Sequence, residues 1–458
     1  MYEPSRWGLS LDAVQQLGQR LERFWKRFVP CFRTNTRDTS LYALHYLSGQ
    51  LRLETQRNFT NIAQATAMSS QNLHHFMTNS PWDARNVLWQ VQFEISRTPG
   101  LDQGGVLILD ESADEKASAK TVGASRQYNG RLGKVDMSQV GTFLTYWHPQ
   151  ANLWTWLDGE LFLPQSWFAA EKADERARLG VPEDRKFATK LELGWKMIQR
   201  VKEHGVNFEV LACDALYGEA NWFRAAMQGA GVCYMADIAA NIHLAPLPPT
   251  TEADLIWTAA DIAEAKTTVW QQIEVRPTER GVLCDAFACV HVWTWRDGHA
   301  SAEWLVMRRC ADGDISYSLC NAPKDTPLSR LAGWKCARYF VERAIQDAKS
   351  ELGFDDLRAQ KYLAWEHHLA LTVLASWFIA QTKFSWSKEY PPQASLTKQL
   401  QIERLPQLSV ANVRALLRAV MPLPQLTPEE ATLQVVRHLF NRAQSRKSRL
   451  KKSGKSPP

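Results

Sequence analysis

Nothing in these 458 residues spaces cysteines for a metal or crowds them into a disulfide framework. The eight cysteines are Cys31, Cys213, Cys233, Cys284, Cys289, Cys310, Cys320 and Cys336. They form no CxxC, and no cysteine–histidine cluster has zinc-finger spacing. They read as reduced, mostly buried thiols rather than a structural zinc site. No apolar run reaches the length of a membrane span. The opening "MYEPSRWGLSLDAV" lacks the basic flank and apolar stretch of a secretory signal. There is no internal repeat. These absences argue against membrane, secreted and zinc-ribbon classes and point to the cytoplasm. What remains is an ordinary globular balance, 45% hydrophobic and 22% charged. The length predicts about two to four domains.

The net charge of +6 is unevenly placed. From Val436 onward the chain carries Arg437, Arg442, Arg446, Lys447, Arg449, Lys451, Lys452 and Lys455, and no acid. A tail this basic suits a polyanion partner or serves as a solvated face. At the other end, residues 1–98 read as helical. Leu11, Val14, Leu17, Leu21, Phe24 and Phe28 recur at helical spacing. In "NIAQATAMSSQNLHHFM", Ile62 and Ala63 fall on one helix and Leu73 and Phe76 on a second. Ala67 stands in the turn and Ser69 can cap the second helix. This is the spacing of a helix-turn-helix, with Ser70, Gln71, Asn72 and His75 facing outward toward DNA. A plain helical hairpin has the same pattern.

After Leu101 the pattern changes. "GVLILD" reads as a buried strand, and "QVGTFLTYWHP" and "LWTWLDGELFLP" as two more joined by a turn. A helix, "TKLELGWKMIQRVKEHG", precedes the strand "FEVLACD" and, after another helix, the strand "VCYMADI". That order predicts a mixed α/β sheet. Residues 241–331 look β-rich, and helix returns after Trp334.

Two of these strands end in aspartate, Asp110 and Asp214. Ligand sites in open α/β sheets form beyond strand ends, and paired carboxylates suit a hard cation. Strand-end aspartates are also common turn formers. In "ARYFVERAIQDAK", Arg338, Glu342 and Lys349 lie within about 40° of one line on a helix. Glu342 would be a third carboxylate, with Arg338 and Lys349 placed for phosphates. An exposed i, i+4 salt bridge is the plainer account of Arg338 and Glu342.

The spacing R-x(3)-E-x(6)-K after two strand-end aspartates resembles the DDE transposases of the insertion-sequence 4 superfamily. Within it, the chain is similar to the insertion-sequence 701 family. The blocks that carry the resemblance run in order over most of the chain. They include "YLSGQLRLETQRNFTNIAQA", "LILDES", "VGASRQYNGRLGKVDMSQVGTFLTYW", "LGVPEDRKFATK", "CDALYG", "ERAIQDAKSELGFDDLRAQKYLAWEHHLAL" and "NRAQSRKSR". The chain departs from the pattern at Lys335, where relatives often carry tyrosine, and at Glu111, Ser112 and "ADEKASAK" after the first aspartate.

The resemblance implies an RNase H-like α/β core with a β-rich insertion. A helical DNA-binding domain would precede it and a basic helical region follow. The implied divisions are 1–98, 99–240, 241–331, 332–385 and 386–458. Asp110, Asp214 and Glu342 would hold two Mg2+ ions, replaceable by Mn2+, about 3.5–4 Å apart. Arg338, Lys349, Tyr217, Arg126, Tyr128, Lys134, Arg446 and Lys447 would contact DNA. Glu111, Asp114 and Glu115 would be solvated loop acids. Trp293, Trp295 or Trp304 would trap a flipped base, while most of the 19 tryptophans would lie in the core. The implied protein is a bacterial, nucleoid-associated transposase. It would act on terminal inverted repeats and target DNA as a homodimer on paired ends. The alternatives are a DNA-binding relative that no longer cuts, and a metal-dependent phosphoesterase on an unrelated fold.

Overall fold

The computed structural model of this chain describes residues 2–117, 119–278, 281–423 and 427–452. The N-terminal segment forms α1 (Leu11–Gln15), α2 (Leu17–Phe28), α3 (Ser40–Arg52), α4 (Phe59–Ala65), α5 (Ser70–Asn79) and α6 (Ala84–Arg97). Ser10, Asn58, Ser69 and Asp83 start four of these helices, their side chains accepting a first-turn backbone N–H. Such caps satisfy donors that the helix itself leaves unpaired. The single helix expected from Leu11 breaks at Gln16, so α1 and α2 present different faces. Leu11 is consequently exposed, while Leu17, Leu21, Phe24 and Phe28 are buried.

Next come β1 (Val106–Glu115), β2 (Ser125–Asn129), β3 (Lys134–His148) and β4 (Leu153–Phe162). They lead to α7 (Ala173–Leu179), α8 (Lys190–Glu203), β5 (Val210–Cys213), α9 (Ala215–Gly218), α10 (Asn221–Gly229) and β6 (Tyr234–Ile238). The β-rich stretch holds β7 (His243–Leu244), β8 (Trp257–Thr258), α11 (Ala259–Glu264), β9 (Gln271–Thr278), β10 (Gly281–Arg296), β11 (His299–Arg309) and β12 (Ile315–Cys320). The chain then runs through α12 (Leu328–Lys335), α13 (Tyr339–Gln346), α14 (Tyr362–Glu389), α15 (Ser395–Leu400), α16 (Val410–Val420) and α17 (Pro428–Lys452).

Among the described residues, ten strands form one sheet in the order β2-β3-β1-β5-β6-β12-β11-β10-β9, with β4 also on β3. β5 pairs in parallel with β1 and β6; the other pairings in the sheet are antiparallel. The β-rich segment thus extends the sheet through the β6–β12 pairing, while β7 and β8 form a second, two-stranded sheet.

Strand alternation sends successive side chains to opposite faces. Val106 and Ile108 of β1, with Val210, Ala212 and Met235, pack on Leu331, Trp334, Phe340 and Val341 of α12 and α13. Leu107, Leu109 and Leu211 join the larger core on the other face. That core also takes in α2 to α6 and the 28-residue α14, which is buried on nearly every side. The N-terminal helices therefore share a core with the sheet. An all-round apolar helix belongs inside a protein or a membrane; no described helix is long and apolar enough to cross a membrane.

Candidate active site

β1 does not stop at Asp110. Its pairing with β3 continues to Glu115 opposite Ser138. The parallel pairing with β5 stops at Leu109 and Cys213. The next residues on these two strands are Asp110 and Asp214, which brings their carboxylates side by side. Asp214 also caps α9, accepting the Leu216 N–H at 3.1 Å.

Both carboxyls are raised. Burial, then the neighbouring Asp214, pushes Asp110 up to about 7, against the pull of Arg338. Burial, then Glu111, pushes Asp214 up to about 6. Two adjacent acids whose charges are under-compensated fit a divalent cation, which would favour their ionised forms. Glu342 stands across a guanidinium. Arg338 Nη1 meets Asp110 Oδ2 at 3.2 Å and Nη2 meets Glu342 Oε1 at 2.6 Å. Among the described residues no three acid, histidine or cysteine side chains are gathered to hold a metal. Asp110 and Asp214 are the adjacent pair, with Glu342 reached through Arg338.

The helix carrying these groups is not one straight α-helix. A 3-10 turn, Cys336–Arg338, precedes α13, and a π-helical turn, Asp347–Glu351, follows it. Arg338 and Glu342 pair along this segment, and Lys349 lies within the π turn. Lys349 donates from Nζ to the Ala113 carbonyl of β1 at 2.7 Å.

Other expectations sort themselves by burial. Tyr217, expected to touch DNA, is fully buried, and its hydroxyl donates to Glu111 Oε2 at 3.2 Å. Glu111, expected in a solvated loop, takes Lys190 Nζ at 2.5 Å as well. Asp114 and Glu115 are also on the strand, paired with Lys116 and Arg131. Arg126 and Tyr128 lie exposed on one face of β2, and Lys134 is exposed at the start of β3 beside Asp136. On α5, Ser70, Gln71, Asn72 and His75 are exposed over buried Leu73 and Phe76. Ala67 takes the left-handed turn conformation at φ 54°. Arg446 and Lys447 are exposed on α17.

Most of the tryptophans do serve the core: nine are buried, and Trp154, Trp195, Trp270 and Trp304 are partly buried against it. Trp304 pairs with Cys320, which pairs with Met235, two residues before Asp237 on β6. Trp293 and Trp295 run further from the carboxylate row. All three therefore lie toward the opposite end of the sheet from Asp110. The cysteines are all free, but only Cys213, Cys320 and Cys336 are buried.

Asp237 was not singled out in the sequence. A lone acid in the strand "YMADI" has no pattern to mark it, and only the register sets it beside Asp214. A cleft of about 1110 Å3 opens elsewhere, lined by Arg85, Asp158, Glu160, Arg185, Arg200 and Glu366. Its acids already face its own arginines, as at Arg85–Asp158, 2.8 Å, and Arg200–Glu160, 2.7 Å. It is a poorer place for a cation than the Asp110–Asp214 pair.

The chain is 25% identical over 317 residues to the probable transposase for insertion sequence element IS701 of Microchaete diplosiphon. That alignment covers 67% of this chain and 73% of the relative. The family described as DDE superfamily endonuclease matches residues 27–278, more than half of the chain. With two aspartates on adjacent parallel strands and an Arg–Glu helix beside them, the chain belongs to the DDE superfamily of endonucleases.

Proposed function

We propose that the chain is a transposase that binds double-stranded DNA at the terminal inverted repeats of its insertion sequence. It cleaves strands there and joins them to target DNA by a cut-and-paste reaction. The observation that carries this reading is the adjacency of Asp110 and Asp214 beside the helix bearing Arg338 and Glu342. The similarity to a probable transposase supports it.

Asp110, Asp214 and Glu342 are the residues that would hold Mg2+, with Mn2+ as a substitute. Two such ions, when bound, supply an activated water or hydroxyl and stabilise the leaving oxygen of an in-line displacement. The remaining work belongs to the chain's own side chains. The Leu216 N–H fixes the orientation of Asp214. Tyr217 and Lys190 hold Glu111 beside Asp214. The planar guanidinium of Arg338 matches two phosphate oxygens, and Lys349 adds a second cation near β1. No serine or tyrosine nucleophile is required.

DNA beyond the cut would lie on the exposed faces carrying Arg126, Tyr128 and Lys134, on Ser70, Gln71, Asn72 and His75 of α5, and on Arg446 and Lys447. A homodimer would hold paired ends. Purified Asp214→Ala and Glu342→Ala proteins should bind DNA carrying the inverted repeats and fail to cleave it with Mg2+. Undiminished cleavage by either variant would remove the assignment.

One observation favours a second reading. Arg338 pairs with Asp110 and Glu342 at once, which is also how a DNA-binding relative that no longer cuts would look. A plasmid nicking assay with Mg2+ and the cognate ends separates the two.

A further inference from the structure

The sheet register sets three aspartates in one row. Leu109 pairs with Cys213, and Cys213 with Ala236. The next residues on β1, β5 and β6 are Asp110, Asp214 and Asp237. Directly across from Asp237 on β12 is Ser318. Ser318 Oγ donates to Asp237 Oδ1 at 2.5 Å. Lys335 Nζ donates to Ser318 Oγ at 2.6 Å and to Asp237 Oδ1 at 3.4 Å. Asp237 Oδ2 faces Arg338 Nε at 3.8 Å.

The backbone explains why two cations meet this one acid. Lys335 ends α12, and the 3-10 turn Cys336–Arg338 follows. In a 3-10 turn, side chains three residues apart eclipse one another. Lys335 and Arg338 therefore project to the same side, onto β6. Lys335 is buried, and Asp237 opposes the loss of its charge. Lys335 and Ser318 both act on Oδ1, which leaves Oδ2 turned toward Arg338. A buried ion pair serving stability alone could be replaced by apolar groups at little cost. Arg338 reaches Asp110 and Glu342 with its two terminal nitrogens, and it faces Asp237 through Nε.

We infer that Asp237 is a positioning residue for Arg338. Its Oδ2 steadies Nε, so that Nη1 and Nη2 stay aimed at the side where Asp110 and Glu342 lie and a phosphodiester would arrive. Ser318 and Lys335 hold the carboxylate in that orientation.

The test compares Lys335→Met with the double variant Asp237→Asn/Lys335→Met. Neither leaves a buried lysine unpaired, so the pair differs only in the Asp237 charge. Two readouts are taken on the full chain at matched thermal stability. The first is modification of Arg338 by a dicarbonyl reagent, followed by mass spectrometry. The second is the single-turnover cleavage rate on inverted-repeat DNA with Mg2+. Arg338 should be modified faster in the double variant. Cleavage should be slower there by about tenfold to a hundredfold, as expected for a misplaced contact group, with DNA affinity little changed. Equal Arg338 modification in the two proteins overturns the inference. The rate readout alone rests on the DNA-cleaving function proposed above. If the wild-type chain cuts no DNA, that function fails, and the labelling comparison still decides the role of Asp237.

Discussion

Gly218 shows how tightly the backbone closes around the carboxylates. A Cβ at this position would meet the Asp237 carbonyl oxygen at 1.9 Å, a backbone atom with no easy way to retreat. Gly218→Ala should therefore separate α9 from β6, at about 1–3 kcal/mol of stability, and displace Asp214 from its neighbours. Denaturant unfolding would check the first effect; an unchanged midpoint would refute it. Single residues also mark the limit of reading the sequence. Asp110 and Asp214 were legible because each follows an apolar run. Glu111 was misplaced and Asp237 overlooked because their roles come from partners far away in the chain. Lys190 and Tyr217 hold the one, and Ser318, Lys335 and Arg338 face the other.

Among the elements, α14 ties the N-terminal helices to the sheet, and His368 is one of its ties. Its Nδ1 accepts from the Tyr46 hydroxyl at 2.8 Å and its Nε2 donates to the Phe354 carbonyl at 3.0 Å. That pattern suits the neutral ring. Burial accordingly lowers its pKa to about 4. Below the ordinary histidine value the unfolded chain binds a proton that the folded one refuses. The contribution to stability is thus complete above pH ~6.5 and is lost as pH falls toward ~4, in all about 3 kcal/mol. Thermal unfolding between those values should show a shallower acid slope for His368→Gln than for the wild type; parallel slopes would contradict it. The elements themselves were largely legible, since apolar spacing and caps are local. Their irregularities were not. The break at Gln16 and the π turn at Asp347–Glu351, from which Lys349 reaches Ala113, depend on what each segment packs against.

At the scale of the whole molecule, α17 gathers positive charge on an exposed surface. α17 leaves Leu433, Val436 and Phe440 exposed, and Arg442, Arg446, Lys447 and Arg449 are exposed along it. Replacing those four basic residues with glutamine should leave the unfolding temperature of the core nearly unchanged. Affinity for DNA should fall. The slope of log affinity against log salt should become shallower by as much as about 3–4 units, at about 0.9 for each phosphate no longer neutralised. Fluorescence anisotropy over a KCl series would measure it; an unaltered slope would assign DNA binding to other surfaces.

The amino-acid sequence by itself determined the order of helices and strands, the helical N-terminus, the basic C-terminus and the two aspartates that end buried apolar runs. Those features follow from local periodicity and capping, which each segment carries within itself. Only the tertiary structure decided that the β-rich stretch continues the main sheet. It alone decided that β1 runs on past Asp110, that Tyr217 lies under the site and that Arg338 stands among Asp110, Asp237 and Glu342. The reason is physical. Strand register and helix docking are set by pairing between segments that lie from tens of residues to 228 apart, and a one-residue slip would send the same side chains to the opposite face.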